Sequence, residues 1–257
     1  MSYIVICTVA CLASGLTFLS GFGLGTLLLP AFALFFPVEQ AVALTAVVHF
    51  LNGLFKLALV GRSIAWPVAL RFGLPAIAGG IAGAMLLEWL AVLEPLANYE
   101  WLGRTFAVMP VKLVIGGLLV AFAMLDVLPG FRDLAFGPRW MPIGGIMSGF
   151  FGGLSGMQGA LRSAFLSRAG LSKEAFVATA AVIAALVDVS RLGVYARAVW
   201  RQAADLDLAL LAAAVVAAFA GALLGKRLLK AVTMESIRHL VATLLMVLGI
   251  CLMAGLL

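Results

Sequence analysis

Eight apolar runs, at about residues 3–36, 40–61, 64–93, 106–128, 140–167, 174–199, 206–225 and 237–257, fill this 257-residue chain almost end to end. Most are at least as long as the ~20 residues an α-helix needs to cross a bilayer's hydrocarbon core. The gaps between them are too short for a separate soluble domain. Hydrophobic residues make up 65% of the chain and charged ones 11%, whereas a soluble domain is nearer half apolar and a quarter charged. So little polar surface cannot cover a water-facing globule. Within lipid every backbone amide must be satisfied inside the protein, so such runs fold as helices. The chain reads as an all-α polytopic membrane protein.

The formal charge is +6. In a membrane chain an excess of Lys and Arg reports orientation and contact with anionic lipid. No basic stripe with interleaved aromatics points to nucleic acid. Cys7, Cys11 and Cys251 all lie within apolar runs, without a CxxC pair or a His cluster, and read as packing residues. Neither a metal nor a cofactor is expected. No GxxxxGK[ST] loop offers ATP hydrolysis. Met1-Ser2-Tyr3-Ile4 carries no basic stretch ahead of its apolar run, so the first segment is expected to stay rather than be cleaved as a signal peptide.

The runs group four and four around Pro129-Gly130-Phe131-Arg132-Asp133-Leu134-Ala135-Phe136-Gly137-Pro138-Arg139, which reads as a linker. Sliding the chain by 134 positions lays residues 14–48 on 148–182 with eight identities: Ser14/Ser148, Gly15/Gly149, Gly25/Gly159, Leu27/Leu161, Ala41/Ala175, Thr45/Thr179, Ala46/Ala180 and Val48/Val182. Composition alone would supply about three or four. Two repeats are therefore expected, 1–128 and 140–257, joined by 129–139.

The first run of each repeat is too rich in glycine for an ordinary helix. One carries Ser20-Gly21-Phe22-Gly23-Leu24-Gly25 and then Pro30; the other carries Gly149, Gly152, Gly153, Ser155, Gly156 and Gly159. Glycine costs a helix about 1 kcal/mol relative to alanine, and unwound backbone in a bilayer survives only against protein or a wet cavity. The competing reading is close helix packing, since Gly21/Gly25, Gly79/Gly83, Gly145/Gly149 and Gly221/Gly225 have GxxxG spacing.

Charge placement separates the two readings. If every run simply crosses, the 17 Lys and Arg divide eight against nine, which sets no orientation. If the first and fifth runs are hairpins of two half-helices, one side holds Lys56, Arg62, Arg71, Arg132, Arg139, Arg162, Arg168, Lys173, Lys226, Arg227, Lys230 and Arg238. The other keeps Arg104, Lys112, Arg191, Arg197 and Arg201. Twelve against five is the bias the positive-inside rule demands. A hairpin plus three crossings is an odd number, so the second repeat is inverted relative to the first and both termini face outward. The expected fold is two inverted repeats of about four hydrophobic segments, the first of each broken into two half-helices, a common plan of secondary transporters.

Thr45, His49, Asn52 and Lys56 are spaced four, three and four apart, on one face of the second run. An intramembrane polar stripe is by default a functional one, although Lys56 could snorkel and His49 and Asn52 could bridge helices. The matching run of the second repeat carries Thr179, Asp188 and Arg191; the last two can neutralise each other across a turn. Arg162, near the start of a half-helix, offers forked donors to an oxyanion where the helix dipole already favours negative charge, or else it is an edge arginine. Glu39 and Glu174 read as first-turn acids. A small anionic substrate is expected between the repeats. It would be held by the amides around Ser20, Gly21, Gly23 and Gly25 and around Ser155, Gly156, Gln158 and Gly159, and by Lys56 or Arg162, with Thr45, His49, Asn52 and Thr179 lining the site. Rocking of one half against the other would alternate access. His49, with an unperturbed pKa of about 6.5, and Asp188 are the candidate proton-coupling groups.

Ser20-Gly21-Phe22-Gly23-Leu24-Gly25-Thr26-Leu27-Leu28-Leu29-Pro30 with Ala41 and Thr45, and Gly153-Leu154-Ser155-Gly156-Met157-Gln158-Gly159 with Ala175 and Thr179, resemble the two motifs of the TauE/SafE family of sulfite and organosulfonate exporters. The likeness extends over the chain's whole length. It implies a multi-pass protein of a bacterial inner membrane that exports sulfite, thiosulfate, an organosulfonate or a related carboxylate, surrounded by lipid, with a homodimer left open. The second motif departs from the family pattern: its glycines reduce to Gly159, and Ala164 stands where the first repeat has Pro30. Two other classes compete. Gly153-Leu154-Ser155-Gly156 matches the GxSG of rhomboid intramembrane proteases, which need a histidine base beside the serine; only His49 and His239 are available. A non-transporting scaffold would have little use for paired broken helices with polar interiors.

Overall fold

A computed structural model describes residues 1–20, 23–101, 103–128, 135–201, 207–228 and 234–257. Its helices follow the eight apolar runs. The first run folds as α1 (Ser2–Ser20) and α2 (Leu24–Ala33), and the fifth as α6 (Met141–Ser155) and α7 (Gly159–Leu166). The others are α3 (Val38–Val60), α4 (Trp66–Ala91), α5 (Pro110–Val127), α8 (Lys173–Arg201), α9 (Leu208–Leu228) and α10 (Met234–Met253). Among the described residues four of these, α3, α4, α8 and α9, are long and apolar enough to cross a membrane, and shorter apolar helices accompany them. Large apolar side chains such as Leu74, Met85, Trp89, Val216 and Leu223 stand exposed on the outer helix faces, where lipid rather than water would meet them.

Both glycine-rich runs are broken, as the composition predicts, but into unequal pieces. The leading helices have 19 and 15 residues and the trailing ones 10 and 8. At 1.5 Å per residue the trailing helices are about 15 and 12 Å long and the leading ones about 28 and 22 Å, so each break falls nearer the end of its run than the middle. Each short helix packs back on the long one before it and against the helix after it. Gly23 (φ 109°) precedes α2 and Gly156 (φ 78°) ends α6. These are left-handed conformations that side-chain-bearing residues rarely adopt, so the chain turns there.

The GxxxG reading also holds, at Gly79/Gly83, Gly145/Gly149 and Gly221/Gly225. Helix α4 packs on α6, with Gly79 and Gly83 against Ile146 and Phe150, and Gly145, Gly149 and Gly153 against Phe72, Ala76 and Gly80. Helix α1 packs on α9 in the same way, Cys11 and Gly15 meeting Gly221 and Gly225. In each case backbone lies on backbone, which only a missing Cβ allows. Helix α5 crosses α10 at Gly116 and Gly249. Helices α3 and α8 lie against each other and carry Thr45, Asn52 and Lys56 on one and Thr179, Asp188 and Arg191 on the other, all buried.

One departure from an all-α chain is a β-hairpin, β1 (Ala97–Trp101) with β2 (Arg104–Val108), paired antiparallel. Its strands carry Tyr99, Trp101, Thr105, Phe106 and Val108, types that favour extended backbone. Tyr99 and Phe106 are register partners with rings stacked 5.5 Å apart, and Gly103 (φ 72°) serves the turn. The apolar run read as starting at 106 thus enters its helix only at Pro110. The hairpin sits on the chain's end: the Tyr99 hydroxyl donates to Ala254 O at 2.5 Å, and Gly255 lies against Ala107. Of the linker 129–139, residues 129–134 lie outside the described residues. Phe136 docks on α7, its N–H donating to Ala164 O at 3.1 Å and its ring stacking on Phe165.

Asp207 joins the starts of α1 and α9. It accepts from the Tyr3 hydroxyl (2.8 and 2.6 Å to its two oxygens) and caps α9 through the Leu210 N–H at 2.9 Å. The Tyr3 hydrogen bond first, then the backbone bond from Leu210, holds its carboxyl below the usual carboxylate range. A depressed folded pKa gives stability that is present above the unfolded value of about 3.9 and lost as pH falls through the folded one. Tyr3→Phe is therefore expected to lower the melting temperature at neutral pH, by about a degree given the exposure of the pair, and the gap to the wild type should close as pH falls from 5 toward about 3. A gap that stays constant over that range would remove the carboxylate from the account.

Candidate functional site

The break between α6 and α7 meets the first turn of α2, where the first run resumes its helix. A Cβ built on Gly25, near the start of α2, would lie 2.8 Å from the Gly156 carbonyl oxygen and 3.8 Å from Cδ2 of His49. The α6–α7 break is thus pressed against the start of α2 and the middle of α3. Buried polar side chains collect around this junction.

Asp188, at the middle of α8 and fully buried, is the centre. Its Oδ1 accepts from Arg191 Nε at 3.0 Å, Arg191 Nη2 at 2.8 Å and Gln158 Nε2 at 3.3 Å. Its Oδ2 lies 2.6 Å from Nδ1 of His49 on α3. Arg191 and Asp188 are one helical turn apart, as the i, i+3 spacing anticipates. The partnership with His49 reaches across 139 positions of sequence, which no local spacing could signal.

Gln158 occupies the break itself. Besides its bond to Asp188, it accepts from Arg162 Nη1 at 3.1 Å through Oε1 and from the Ser148 hydroxyl at 2.9 Å through its backbone oxygen. A Cβ at Gly152 would come within 3.0 Å of Gln158 Cβ and of Val187, so the missing side chain there makes room for the glutamine. Arg162 is 1% exposed and bonds back toward the start of α7, so it is no edge arginine. Lys56 is buried too and lies within electrostatic reach of Arg162. Arg191 also donates from Nη1 to Gly152 O at 3.2 Å, and Tyr195 donates its hydroxyl to Gly153 O. At the end of α6 a phenol thus meets the Gly153 carbonyl, and a cation shares the Gly152 carbonyl with the Gly156 N–H, which donates to it at 2.9 Å.

The stripe Thr45, His49, Asn52, Lys56 does face inward. Asn52 accepts from Ser14 of α1 at 3.1 Å, both buried. Thr45 is buried with its hydroxyl oxygen unpartnered among the described residues. Gly156, Gln158, Gly159 and Gly25 all lie at the junction, with Gly23 one step before α2. One expected member lies elsewhere, and one sits beside Gly156 with its hydroxyl turned away. Thr179 is nine residues before Asp188, some 13 Å along the helix, and accepts from the Ala65 N–H at 3.0 Å, tying α8 to the α3–α4 connection. Ser155 turns its hydroxyl into its own helix, donating to Phe151 O at 2.9 Å. Gly21 and the side chain of Ser20 lie outside the described residues.

Four participants escaped the sequence reading: Arg191 as a donor to backbone, Tyr195, and the hydroxyls of Ser14 and Ser148. The two serines did carry a signal, as the first coincidence of the repeat. Among the described residues no group of three or more His, Cys, Asp or Glu side chains comes together to hold a metal.

The family model described as sulfite exporter TauE/SafE matches residues 6–252. The chain belongs to this family. No curated protein and no solved structure matches it. TauE/SafE membership makes it a multi-pass membrane transporter of sulfur-anion exporter type rather than an enzyme. Ser155 bonds its own helix while His49 bonds Asp188, so this pair does not form the serine–histidine dyad that the rhomboid alternative needs.

Proposed function

We propose that the chain carries a small sulfur-containing oxyanion, namely sulfite, thiosulfate or an organosulfonate, out across a bacterial inner membrane by alternating access. One observation supports this above the rest: the buried donors of Arg191, Arg162, Gln158 and His49 converge where two broken helices meet. Guanidinium forks and amides suit the several oxygens of a sulfur oxyanion better than a point charge does. Lys56 adds a second cation beside Arg162. Such an anion leaves a negative-inside cell with about 2.3 kcal/mol of electrical drive per charge per 100 mV.

The helix order supports inverted repeats over 1–128 and 140–257. Adding 134 to Leu24–Ala33 gives 158–167, beside α7 at Gly159–Leu166, and adding it to Val38–Val60 gives 172–194, within a residue of the start of α8. Pairings exchange accordingly: α1 on α9 answers α6 on α4, and α3 on α9 answers α8 on α4. With Lys56, Arg162 and Arg191 taken out of the loop count as buried residues, the positive charges still divide ten against four, which favours both termini outside. The glycine seams favour moving bodies that mix the halves, α1 with α9 and α4 with α6, over a rocking of one sequence half on the other. His49 and Asp188, now in contact, are the groups that couple protons.

The test is a panel of labelled anions loaded into proteoliposomes. The wild type is expected to release at least one sulfur oxyanion, and Lys56→Ala and Arg162→Ala each to slow that release at least about tenfold, since each removes a buried cation worth several kcal/mol to an anion beside it. Release of none of the panel overturns the transport reading. Release untouched by both substitutions overturns the site.

A further inference from the structure

Asp188 occupies the position that a bound oxyanion would want. Three side chains from two helices and the α6–α7 break give it four hydrogen bonds, the same forked and amide donors that a bound oxyanion would take. We propose that the Asp188 carboxylate is a tethered stand-in for the transported anion, and that a proton delivered through His49 releases its donors to the substrate. The inference rests on the transport reading above and adds to it the identity of the gate and a ratio of one proton per anion.

Arg191 anchors the proposal. A guanidinium does not give up its proton in a protein, so losing the Asp188 charge leaves the fully buried Arg191 uncompensated at a large desolvation cost unless another anion takes its place. Arg191 cannot serve two at once, because Asp188 and a substrate in the same shell would repel strongly in a medium of low polarity. The Nη1 bond to Gly152 O holds the guanidinium in place when the carboxylate lets go. Gly156, with room for no Cβ closer than 3.1 Å to Nη1, lets the unwound backbone lie directly against it.

The proton's route follows from exposure. The His49 side chain is 13% exposed and that of Asp188 0%, so a proton arrives at the imidazole. It adds at Nε2; the Nδ1 proton then passes along the 2.6 Å hydrogen bond to Oδ2, leaving a neutral carboxylic acid and a neutral imidazole of the other tautomer. The ionisable or charged groups around Asp188 are His49 and Lys56 from α3, Arg162 from α7, and Arg191 and Tyr195 from α8 itself, with Glu88 of α4 acting on Tyr195. Helix α6 contributes carbonyls and the Ser148 and Ser155 hydroxyls. A dianion travelling with one proton keeps one net negative charge, and so keeps its outward electrical drive.

Thiosulfate is the probe, since it stays dianionic from pH 5.5 to 8. Binding to the purified full chain is expected to tighten toward tenfold per pH unit lowered over part of that range, and Asp188→Asn to bind with no pH dependence. His49→Gln, which leaves the Asp188–Arg191 pair intact, is expected to keep the pH slope of binding and lose at least about tenfold of the flux driven by a pH gradient. A flat wild-type slope, an unchanged slope in Asp188→Asn, or an unchanged pH-driven flux in His49→Gln overturns the gate. Should Asp188→Asn fail to fold, the wild-type slope and the His49→Gln flux decide. If the wild type neither binds nor moves thiosulfate, sulfite or any organosulfonate, the transport reading itself falls.

Discussion

Gly149→Ala is expected to lower the melting temperature in detergent by about 10 °C and to cut the yield of monodisperse protein. The added methyl would meet Ala76 at its Cα (2.9 Å) and carbonyl carbon (2.8 Å), with the carbonyl oxygen nearer still. Every one of these atoms is backbone, so no side chain can swing aside and the α4 and α6 axes must part. Separation at one point of a glycine seam also loosens Gly145 and Gly153, one turn to either side, each resting on α4 backbone. Overpacking costs about 1–3 kcal/mol and sometimes more, and a protein of this size loses roughly 2–4 °C per kcal/mol. Gly193→Ala is the control, because a Cβ there meets nothing within 4 Å. It should leave the melting temperature unchanged or raise it slightly, alanine being the better helix former by about 1 kcal/mol. Equal melting temperatures for the two variants would dismiss the seam as a source of stability.

Arg191→Gln is expected to do comparable damage by a different route. It leaves a fully buried carboxylate without its nearest cation and takes a donor from the Gly152 carbonyl. Removing one partner of a buried ion pair costs about 3–5 kcal/mol, chiefly the penalty of the charge left behind. Adding Asp188→Asn to Arg191→Gln should therefore restore much of the melting temperature, although the double variant loses an anchoring cation and is expected to carry anions at under about a hundredth of the wild-type rate. A single variant as stable as the wild type, or a double no better than the single, would show that the charge is not what the substitution exposes.

How much of this was legible beforehand depends on the range of each interaction. Both helix breaks could be read from Gly23–Gly25 and Gly152–Gly159, because backbone freedom is a local property. The inward face of α3 could be read from the spacing of Thr45, His49, Asn52 and Lys56, since helical periodicity is local too. The β-hairpin was missed, although Tyr99, Thr105 and Phe106 favour strand, because a short polar interval between apolar runs resembles any loop. Thr179 was drawn into the site by its match to Thr45, but the repeat relates positions and not chemistry. The position matching His49 is Ile183, and that matching Asp188 is Leu54.

What the sequence alone determined is the solvent, the helices, where two of them break and which faces carry polar groups. Those follow from burial cost, periodicity and glycine's freedom, each acting over a few residues. The tertiary structure alone decided that His49 meets Asp188, that Arg191 reaches Gly152, and that α1 rides on α9 while α4 rides on α6. The physical reason is that a buried charge must find compensation somewhere in space, and the chain can supply it from any helix that packing brings near.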